Sequence, residues 1–292
     1  MDEVIIGSAS LASGSLTRGQ LRWNYRPIFR DVYIPKSMPR SLEVMTIGAW
    51  LWSGRRALVT GRAASALYGA RWVGEHAPVE LLWRNNHCPP GIIVRSERFQ
   101  ADEVASIAGI SVATPARVAY DLARHLPRTE AVAHLDALAG ATGLTAREAM
   151  HLIDRYPGAR GNKRARQVLD LMDAGAESPR ESWLRLVVVD AGLPRPVTQI
   201  RVTDGQLVAY LDMGWRDKLV ALEYDGDQHR TDRRQYVKDI RRAEMFERLG
   251  WHVIKVIKED RPRDVVARVS RALGLVGDAA VPPYRSQGRD AA

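Results

Sequence analysis

The sequence has little cysteine and no long apolar run, and both shortages exclude classes of protein. Cys88 is the single cysteine among 292 residues, so an internal disulfide and a cysteine-based zinc site are excluded. No run approaches the ~18 apolar residues that a membrane helix needs. The start, MDEVIIGSAS, lacks the basic and long apolar segments of a secretory signal. These features predict a soluble cytoplasmic protein with no membrane partner.

Composition predicts folded domains and an anionic partner. The apolar fraction of 46% and the eight Trp are ample for hydrophobic cores, and the length suits two or three compact units. The 43 Lys and Arg outnumber the 34 Asp and Glu, giving a net charge of +9. Most of these cations are Arg, whose planar fork suits phosphate. The excess favours nucleic acid, although the codon usage of a GC-rich genome also enriches Arg.

Residues 1–40 predict a small winged-helix-like DNA-binding unit. In LTRGQLRWNYR, Thr17 can cap a helix that carries Leu21 and Tyr25, and RPIFRDVYIP then alternates like a hairpin that ends at Pro35. A helix followed by a basic wing is typical of a DNA reader. Its predicted phosphate contacts are Arg18, Arg22, Arg26 and Arg30. The alternative is an amphipathic helix whose Arg face is simply solvated.

The middle of the chain predicts a scaffold without catalytic motifs. Residues 41–160 alternate helices with the strands ALVTG, VELLW, GIIVRS and GISVA, and Pro115 suits the first turn of a helix. No phosphate loop or metal-spaced histidine pair is present, and we interpret the histidines of this region as packed or surface residues. They are His125, His134 and His151. Residues 161–176 predict a basic linker with a helix, and residues 276–292 a flexible tail.

Residues 177–275 predict an α-β-β-β-α-β domain. Ser178 and Glu181 match a capping box that opens a helix, and the strands TQIRV, LVAYLDMGW and LVALEY follow. A long basic helix, with Tyr236, Ile240, Ala243 and Phe246 as its inward stripe, leads to the closing strand WHVIKVI. The whole chain is therefore predicted to be an α/β protein.

Carboxylates concentrate on one face of this domain. Because strands have a period of two, Glu223 and Asp225 share a face. If Gly214 pairs with Leu219, Asp212 lies opposite Ala221 and diagonal to Glu223 on that face. The inward side of the first helix adds Glu181. Such a group is unfavourable without a cation, and oxygen ligands suit Mg²⁺ or Mn²⁺. Asp227 lies beyond the strand and suits a turn.

The order of elements and acids resembles the PD-(D/E)XK restriction-endonuclease superfamily. More narrowly, EYDGDQH followed by KDIRRAEMFERLGWHVIKV resembles nucleases related to the very-short-patch repair endonuclease. The resemblance implies that Glu181 is the helix acid, that Asp212 and Glu223 bind metal, and that Asp225 and His229 belong to the active centre. Asp239 and Arg242 match its Asp-x-x-Arg pattern. The sequence departs from the parent motif because Asp225 replaces the expected Lys, and His229 is the candidate substitute.

A weaker resemblance covers the first two zones. LTRGQLRWNYRPIFRDVYIP and ISVATPARVAYDLAR are similar to segments of AbiEi-type antitoxins of abortive-infection systems. That resemblance implies DNA binding and repression of transcription.

Two functions follow as expectations. The first is a Mg²⁺- or Mn²⁺-dependent DNA endonuclease in repair or defence, in which the long helix contacts the DNA backbone. Its predicted contacts are Arg234, Lys238, Arg241 and Arg242. The alternative is a catalytically inactive DNA-binding regulator or antitoxin. Expected partners are DNA and either a second copy or a toxin; a partner-binding scaffold is a third possibility.

Overall fold

The computed structural model describes residues 4–85, 87–226 and 233–275. The chain divides into two compact units, Met1–Met172 and Asp173–Ala292. Both contain helices and strands, so the predicted α/β class is confirmed. The predicted five-part division is finer than these two units and stays a prediction. Within the described ranges, no helix has the length and apolar character that crossing a membrane requires.

The first unit opens with the predicted helix and hairpin. Its elements are β1 (Ile5–Ile6), α1 (Gly7–Ala12), α2 (Arg18–Asn24), β2 (Tyr25–Phe29) and β3 (Val32–Pro35). The strands form a sheet in the order β1-β3-β2. Thr17 caps α2 as predicted: its Oγ1 accepts from the Gln20 amide at 3.2 Å, and the Gln20 Oε1 accepts from the Thr17 amide at 2.8 Å. These two bonds satisfy amides at the first turn, which has no helical partners for them.

The rest of this unit is a five-stranded sheet with helices. Its elements are α3 (Leu42–Trp52), β4 (Leu58–Thr60), α4 (Gly61–Leu67), β5 (Val79–Leu82), β6 (Ile92–Arg95), β7 (Val104–Ile107), β8 (Ile110–Ala113), α5 (Pro115–His125), α6 (Arg128–Thr142), α7 (Ala146–Arg155) and α8 (Asn162–Asp170), with a 3₁₀ turn at Ala101–Glu103. The strand order is β6-β5-β4-β8-β7. Pro115 begins α5 as predicted.

The segment predicted as a basic linker with a helix contains a helix, which already begins within the basic stretch. The helix α8 begins at Asn162, directly after Gly161, whose φ is 90°. Ala165, Val168 and Leu169 are buried, because they recur at helical spacing on one side of the basic stretch. The Lys and Arg that suggested a linker occupy the remaining sides of the helix.

The second unit has the predicted order of elements and one helix more. It comprises α9 (Pro179–Asp190), β9 (Val197–Thr203), β10 (Val208–Trp215), β11 (Val220–Tyr224), α10 (Arg233–Arg248), β12 (His252–Val256) and α11 (Pro262–Ala272). The sheet order is β12-β11-β10-β9. Strands β9, β10 and β11 are antiparallel neighbours, whereas β12 is parallel to β11. A parallel pair needs a long crossover, and the connection that contains α10 provides it.

Helices cover both faces of this sheet. On one face Leu222 packs in a buried cluster with Leu184 of α9 and Val265 of α11. On the other, Ala221 packs with Met245 and Phe246 of α10. Successive residues of β11 therefore point to opposite helical layers, as the strand period requires. The polar residues near the end of β11 therefore lie between two apolar clusters, one formed with α9 and α11 and the other with α10.

The predicted register between β10 and β11 is wrong by two residues. Gly214 pairs with Ala221, and the last pair before the turn is Trp215 with Val220. The turn is therefore residues 216–219, and Leu219 closes it with a φ of 51°, which is uncommon for a leucine. A left-handed residue is not apparent from an apolar run, so Leu219 was assigned to the strand. Continuing the observed register places Asp212 opposite Glu223.

The predicted inward stripe of α10 is confirmed at Phe246 and wrong at two of its other positions, while the side chain of Tyr236 lies outside what the structure describes. Ile240 is 41% exposed and Ala243 is exposed, whereas Met245 and Phe246 are buried. Arg242 lies on the half-buried side. The side of α10 that faces the sheet carries Arg242, which contacts Glu223, as well as Met245 and Phe246. Hydrophobic periodicity alone does not predict that contact.

Candidate functional site

Two carboxylates meet where β10 and β11 lie side by side. In the continued register Asp212 and Glu223 are cross-strand neighbours, a position where like charges are destabilising unless neutralised. The Tyr224 backbone amide donates to Asp212 Oδ2 at 2.9 Å. The exposed fraction of the Glu223 side chain is 15%. The pair is thus held between adjacent strands and largely shielded from water.

A third carboxylate, Glu181, comes from the first turn of α9. Half of the predicted capping box is present, since Ser178 Oγ accepts from the Glu181 amide at 3.2 Å, and the Ser178 hydroxyl also donates to Glu181 Oε1 at 2.8 Å. The Glu177 amide donates to Oε2 at 2.8 Å. Burial raises the pKa of Glu181 to about 7, and the negative charge of Asp212 acts in the same direction. Glu181 is therefore both a helix cap and an electrostatic neighbour of Asp212.

Arg242 of α10 supplies a positive charge to these acids. Its Nη2 forms a charged hydrogen bond with Glu223 Oε1 and donates to the Tyr210 carbonyl at 2.7 Å. Its guanidinium lies 5.4 Å from the centre of the Phe246 ring. Although sequence reasoning assigned Arg242 to the DNA backbone, the structure engages its charge with Glu223.

Burial dominates the electrostatics of the pair. It raises the pKa of Asp212, against the lowering effects of the Tyr224 amide and Arg242. It also raises the pKa of Glu223, which Arg242 and Lys255 oppose and Asp212 reinforces. A net upward shift means that the resident cations do not fully compensate the loss of hydration. A site with this property favours an additional cation or an additional proton.

Asp225 lies apart from the pair, beyond the end of β11. Its side chain is 53% exposed, and its Oδ2 is 4.0 Å from Lys255 Nζ. Lys255 stands on β12 as the register partner of Glu223. Sequence reasoning missed this lysine, because its approach depends on the parallel pairing of distant segments. His229 and Asp227 lie outside the described residues.

The remaining predicted DNA contacts of α10 are Arg234, Lys238 and Arg241. Lys238 and Arg241 are exposed, as a surface that contacts a DNA backbone requires. The backbone of Arg234 belongs to α10, and its side chain is outside what the structure describes. The DNA role of this helix stays a prediction.

Three of the four predicted N-terminal contacts point to solvent. Arg18 and Arg22 are exposed on α2, and Arg30 is exposed between β2 and β3. Arg26 is half-buried and donates to the Met38 carbonyl. The exposed three suit phosphate contacts, whereas Arg26 also braces the hairpin.

Another set of acids, joined by a histidine, lies in the first unit. Among described residues, Glu97, Asp121 and His125 bring three ligand atoms within 4.8 Å of one another. However, Arg117 Nε lies 3.1 Å from Asp121 Oδ1, and the Arg124 guanidinium pairs with Glu97. Arginine already supplies the positive charge that a metal would bring. We therefore interpret this group as a buried ion-pair network.

The comparisons with known proteins bear on the region that contains this network. Residues 59–171 match the family model of the AbiEi antitoxin C-terminal domain. The matched region runs from β4 through α8. In this chain the AbiEi-like region is preceded by the α2 helix and hairpin and followed by the carboxylate-bearing unit.

Two curated relatives come from Mycobacterium tuberculosis. They are named Uncharacterized protein MT2308, from strain CDC 1551 / Oshkosh, and Uncharacterized protein Rv2248, from strain ATCC 25618 / H37Rv. Each is 28% identical over 227 residues, covering 76% of this chain and 83% of the relative. That share is longer than Met1–Met172, so the similarity extends beyond the AbiEi-like region.

Proposed function

We propose that this protein is a DNA-binding regulator of the antitoxin type. The observation that carries the proposal is the AbiEi match at residues 59–171, in a unit that opens with a capped basic helix and hairpin. Antitoxins of this kind are expected to bind DNA, repress their own transcription and pair with a toxin. The second unit, in this proposal, is an addition to that framework.

Charge distribution supports assigning DNA to the first unit. Residues 1–172 contain 22 Lys and Arg against 15 Asp and Glu, whereas residues 173–292 contain 21 against 19. The first unit therefore carries +7 of the net charge of +9. A positive potential attracts the phosphate backbone and raises the rate of encounter.

A footprint on the DNA upstream of the chain's own gene tests the regulator proposal. Purified full-length protein is expected to protect one discrete segment, and Arg22→Ala to weaken protection. Asp212→Ala is the matched control, since the second unit is not needed for this activity. Uniform, sequence-independent protection at every concentration would contradict a specific regulator.

A second candidate function is a metal-dependent DNA endonuclease. It is favoured by one observation: Asp212 and Glu223 are cross-strand neighbours that remain undercompensated despite Arg242. Two carboxylates suit Mg²⁺ or Mn²⁺, which binds proteins through one or two such groups. Bound there, the ion would polarise the scissile phosphate and acidify a water.

The chain's own residues then take these roles. Asp212 and Glu223 hold the ion, and Arg242 orients the Glu223 carboxylate. Glu181 is a candidate proton carrier, because a pKa of about 7 lets it exchange a proton near neutrality. Asp225 and His229 complete the predicted centre. Lys255, whose Nζ lies 4.0 Å from Asp225 Oδ2, brings a lysine close to the position where the parent motif has one.

Nicking of supercoiled plasmid in Mg²⁺ or Mn²⁺ tests the nuclease candidate. Wild type is expected to nick and Asp212→Ala to be inactive, with Asp217→Ala on the β10–β11 turn as a matched control. Calorimetric titration of Mn²⁺ into both proteins gives a second readout. Wild type that binds DNA yet neither nicks it nor binds Mn²⁺ would rule this candidate out.

A further inference from the structure

The helix α2 is unusually open to solvent for a helix so firmly anchored. None of its residues from Arg18 to Asn24 is buried. Both of its ends are nevertheless fixed. Thr17 and Gln20 cap the first turn, and the Lys36 amide donates to the Asn24 carbonyl at 2.9 Å, tying the last turn to the hairpin. Leu21 alone among these seven residues is half-buried, and the other six are exposed, so this anchored helix has most of its surface left for a partner.

That surface presents one large aromatic side chain. Trp23 is 71% exposed, the highest value among the exposed large hydrophobic residues of the described chain. Tryptophan is a residue that proteins bury extensively, so this indole is a costly feature in the absence of a partner. The Arg22 guanidinium lies 5.9 Å from the centre of its ring, at the distance of a cation–π contact.

The charge around Trp23 indicates what the partner is. Residues 4–40 contain six Lys and Arg and a single acid, Asp31. Asp31 is engaged within the fold, because its Oδ1 accepts from the Ser8 amide at 2.8 Å. The exposed cations Arg18, Arg22 and Arg30 therefore face no competing carboxylate from this segment. An aromatic ring on a strongly basic surface complements a nucleic acid.

We propose that Trp23 packs directly against duplex DNA in the groove that α2 enters. It supplies the non-ionic part of the affinity, while Arg22 binds a phosphate beside it. The inference rests on the regulator function and adds to it the residue that contacts the base and sugar edges. An indole in this position holds the neighbouring guanidinium in place and excludes water from the contact.

Salt dependence separates the two roles. The probe is the duplex upstream of the chain's own gene, with a random duplex of equal length for comparison. Trp23→Ala is expected to weaken specific binding about ten-fold or more at every salt concentration, without changing the slope of log affinity against log salt. Arg22→Ala is expected to reduce that slope by about one. Trp23→Phe should recover part of the loss.

A matched control is available within the same unit. Trp72 is 53% exposed, and the Arg71 guanidinium lies 6.0 Å from its ring centre, so it has the same chemistry at another place. Trp72→Ala is expected to bind as wild type. In oxidative footprinting read by mass spectrometry, DNA should protect Trp23 and leave Trp72 reactive.

The outcomes distinguish a failure of the Trp23 contact from a failure of the regulator function. If wild type binds the promoter duplex and Trp23→Ala binds equally well, the Trp23 contact is wrong and the regulator function stands. Protection of Trp72 without protection of Trp23 would likewise show that the Trp23 contact is wrong and leave the regulator function standing. If wild type shows no preference for the promoter duplex over the random one, the regulator function fails and the contact fails with it.

Discussion

At the scale of single residues, Glu181 shows how one side chain serves two purposes. As a helix cap it accepts hydrogen bonds from Ser178 and the Glu177 amide. As a buried acid beside Asp212 its pKa rises from an ordinary 4.5 to about 7. Capping alone favours the ionised form, so the upward shift measures the burial and the neighbouring charge. The capping box predicted the first role, and only the folded structure gives the second.

The Glu181 shift predicts that the second unit loses stability as pH rises. The folded state binds this proton more tightly than the unfolded chain, so the contribution of Glu181 to stability is fully present below pH 4.5 and is lost as the pH rises through about 7. The expected loss is roughly 2–3 kcal/mol. Hydrogen exchange of β10 and β11 amides in EDTA should show it, as a difference between wild type and Glu181→Gln that grows with pH. Equal curves for the two proteins would contradict the shift.

The contact between Arg242 and Glu223 predicts that removing the arginine destabilises the second unit, and that also removing the charge of Glu223 restores part of the loss. Arg242→Ala leaves Glu223 without its hydrogen-bonded cation, and we expect the second unit to lose roughly 1–3 kcal/mol, since Arg242 is 33% exposed and Glu223 15%. Glu223→Gln in the same chain should restore part of this loss, because the uncompensated charge is then gone. Denaturant unfolding measures both. Arg241→Ala, one residue earlier and exposed, should change little.

Repeating the Arg242→Ala unfolding experiment with Mn²⁺ tests whether the two acids bind a metal ion. If Asp212 and Glu223 bind a divalent ion, Mn²⁺ should restore stability to Arg242→Ala more than it stabilises wild type, because the ion replaces the missing charge. Arg242→Ala that gains no stability from Mn²⁺ would indicate that the acids are a structural ion-pair site only.

At the scale of elements, the sequence predicted most of what local pattern controls. The cap at Thr17, the hairpin to Pro35, Pro115 at the start of α5 and the order of elements in the second unit all follow from spacing and turn chemistry. The predictions that were wrong depend on contacts between residues that are distant in the sequence. The β10–β11 turn ends at the left-handed Leu219, and Arg242 of α10 contacts Glu223 of a strand distant in the sequence.

The observed register of β10 with β11 predicts that Gly214 cannot be replaced by a larger residue without separating the two strands. A Cβ on Gly214 would lie 2.3 Å from the Val220 carbonyl oxygen and 2.9 Å from the Ala221 Cα, so Gly214→Ala must separate β10 from β11. We expect a loss of at least about 2 kcal/mol in unfolding free energy. Gly226→Ala is the matched control, since its Cβ would meet only Tyr224 Cε1, at 4.0 Å. Similar stability of the two variants would contradict the observed register.

At the scale of the whole molecule, the two units carry different chemistry. The first holds most of the net charge, the AbiEi match and the open α2 surface. The second holds the carboxylates with their resident arginine. Because 76% of the chain is similar to the mycobacterial relatives, the similarity is not confined to either unit. The proposed regulator, with an attached carboxylate site, accommodates both sets of observations.

This arrangement predicts that DNA recognition survives removal of the second unit. Residues 1–172 form a compact unit with its own buried core, which includes Leu58, Val112 and Leu135, so the fragment is expected to fold. Its footprint on the promoter duplex should match that of the full chain, with an affinity within about three-fold, because the charge and α2 are retained. Arg22→Ala should weaken the fragment and the full chain equally. A folded fragment without a footprint would instead assign recognition to the second unit, and Lys238 and Arg241 would then be the cations to change first.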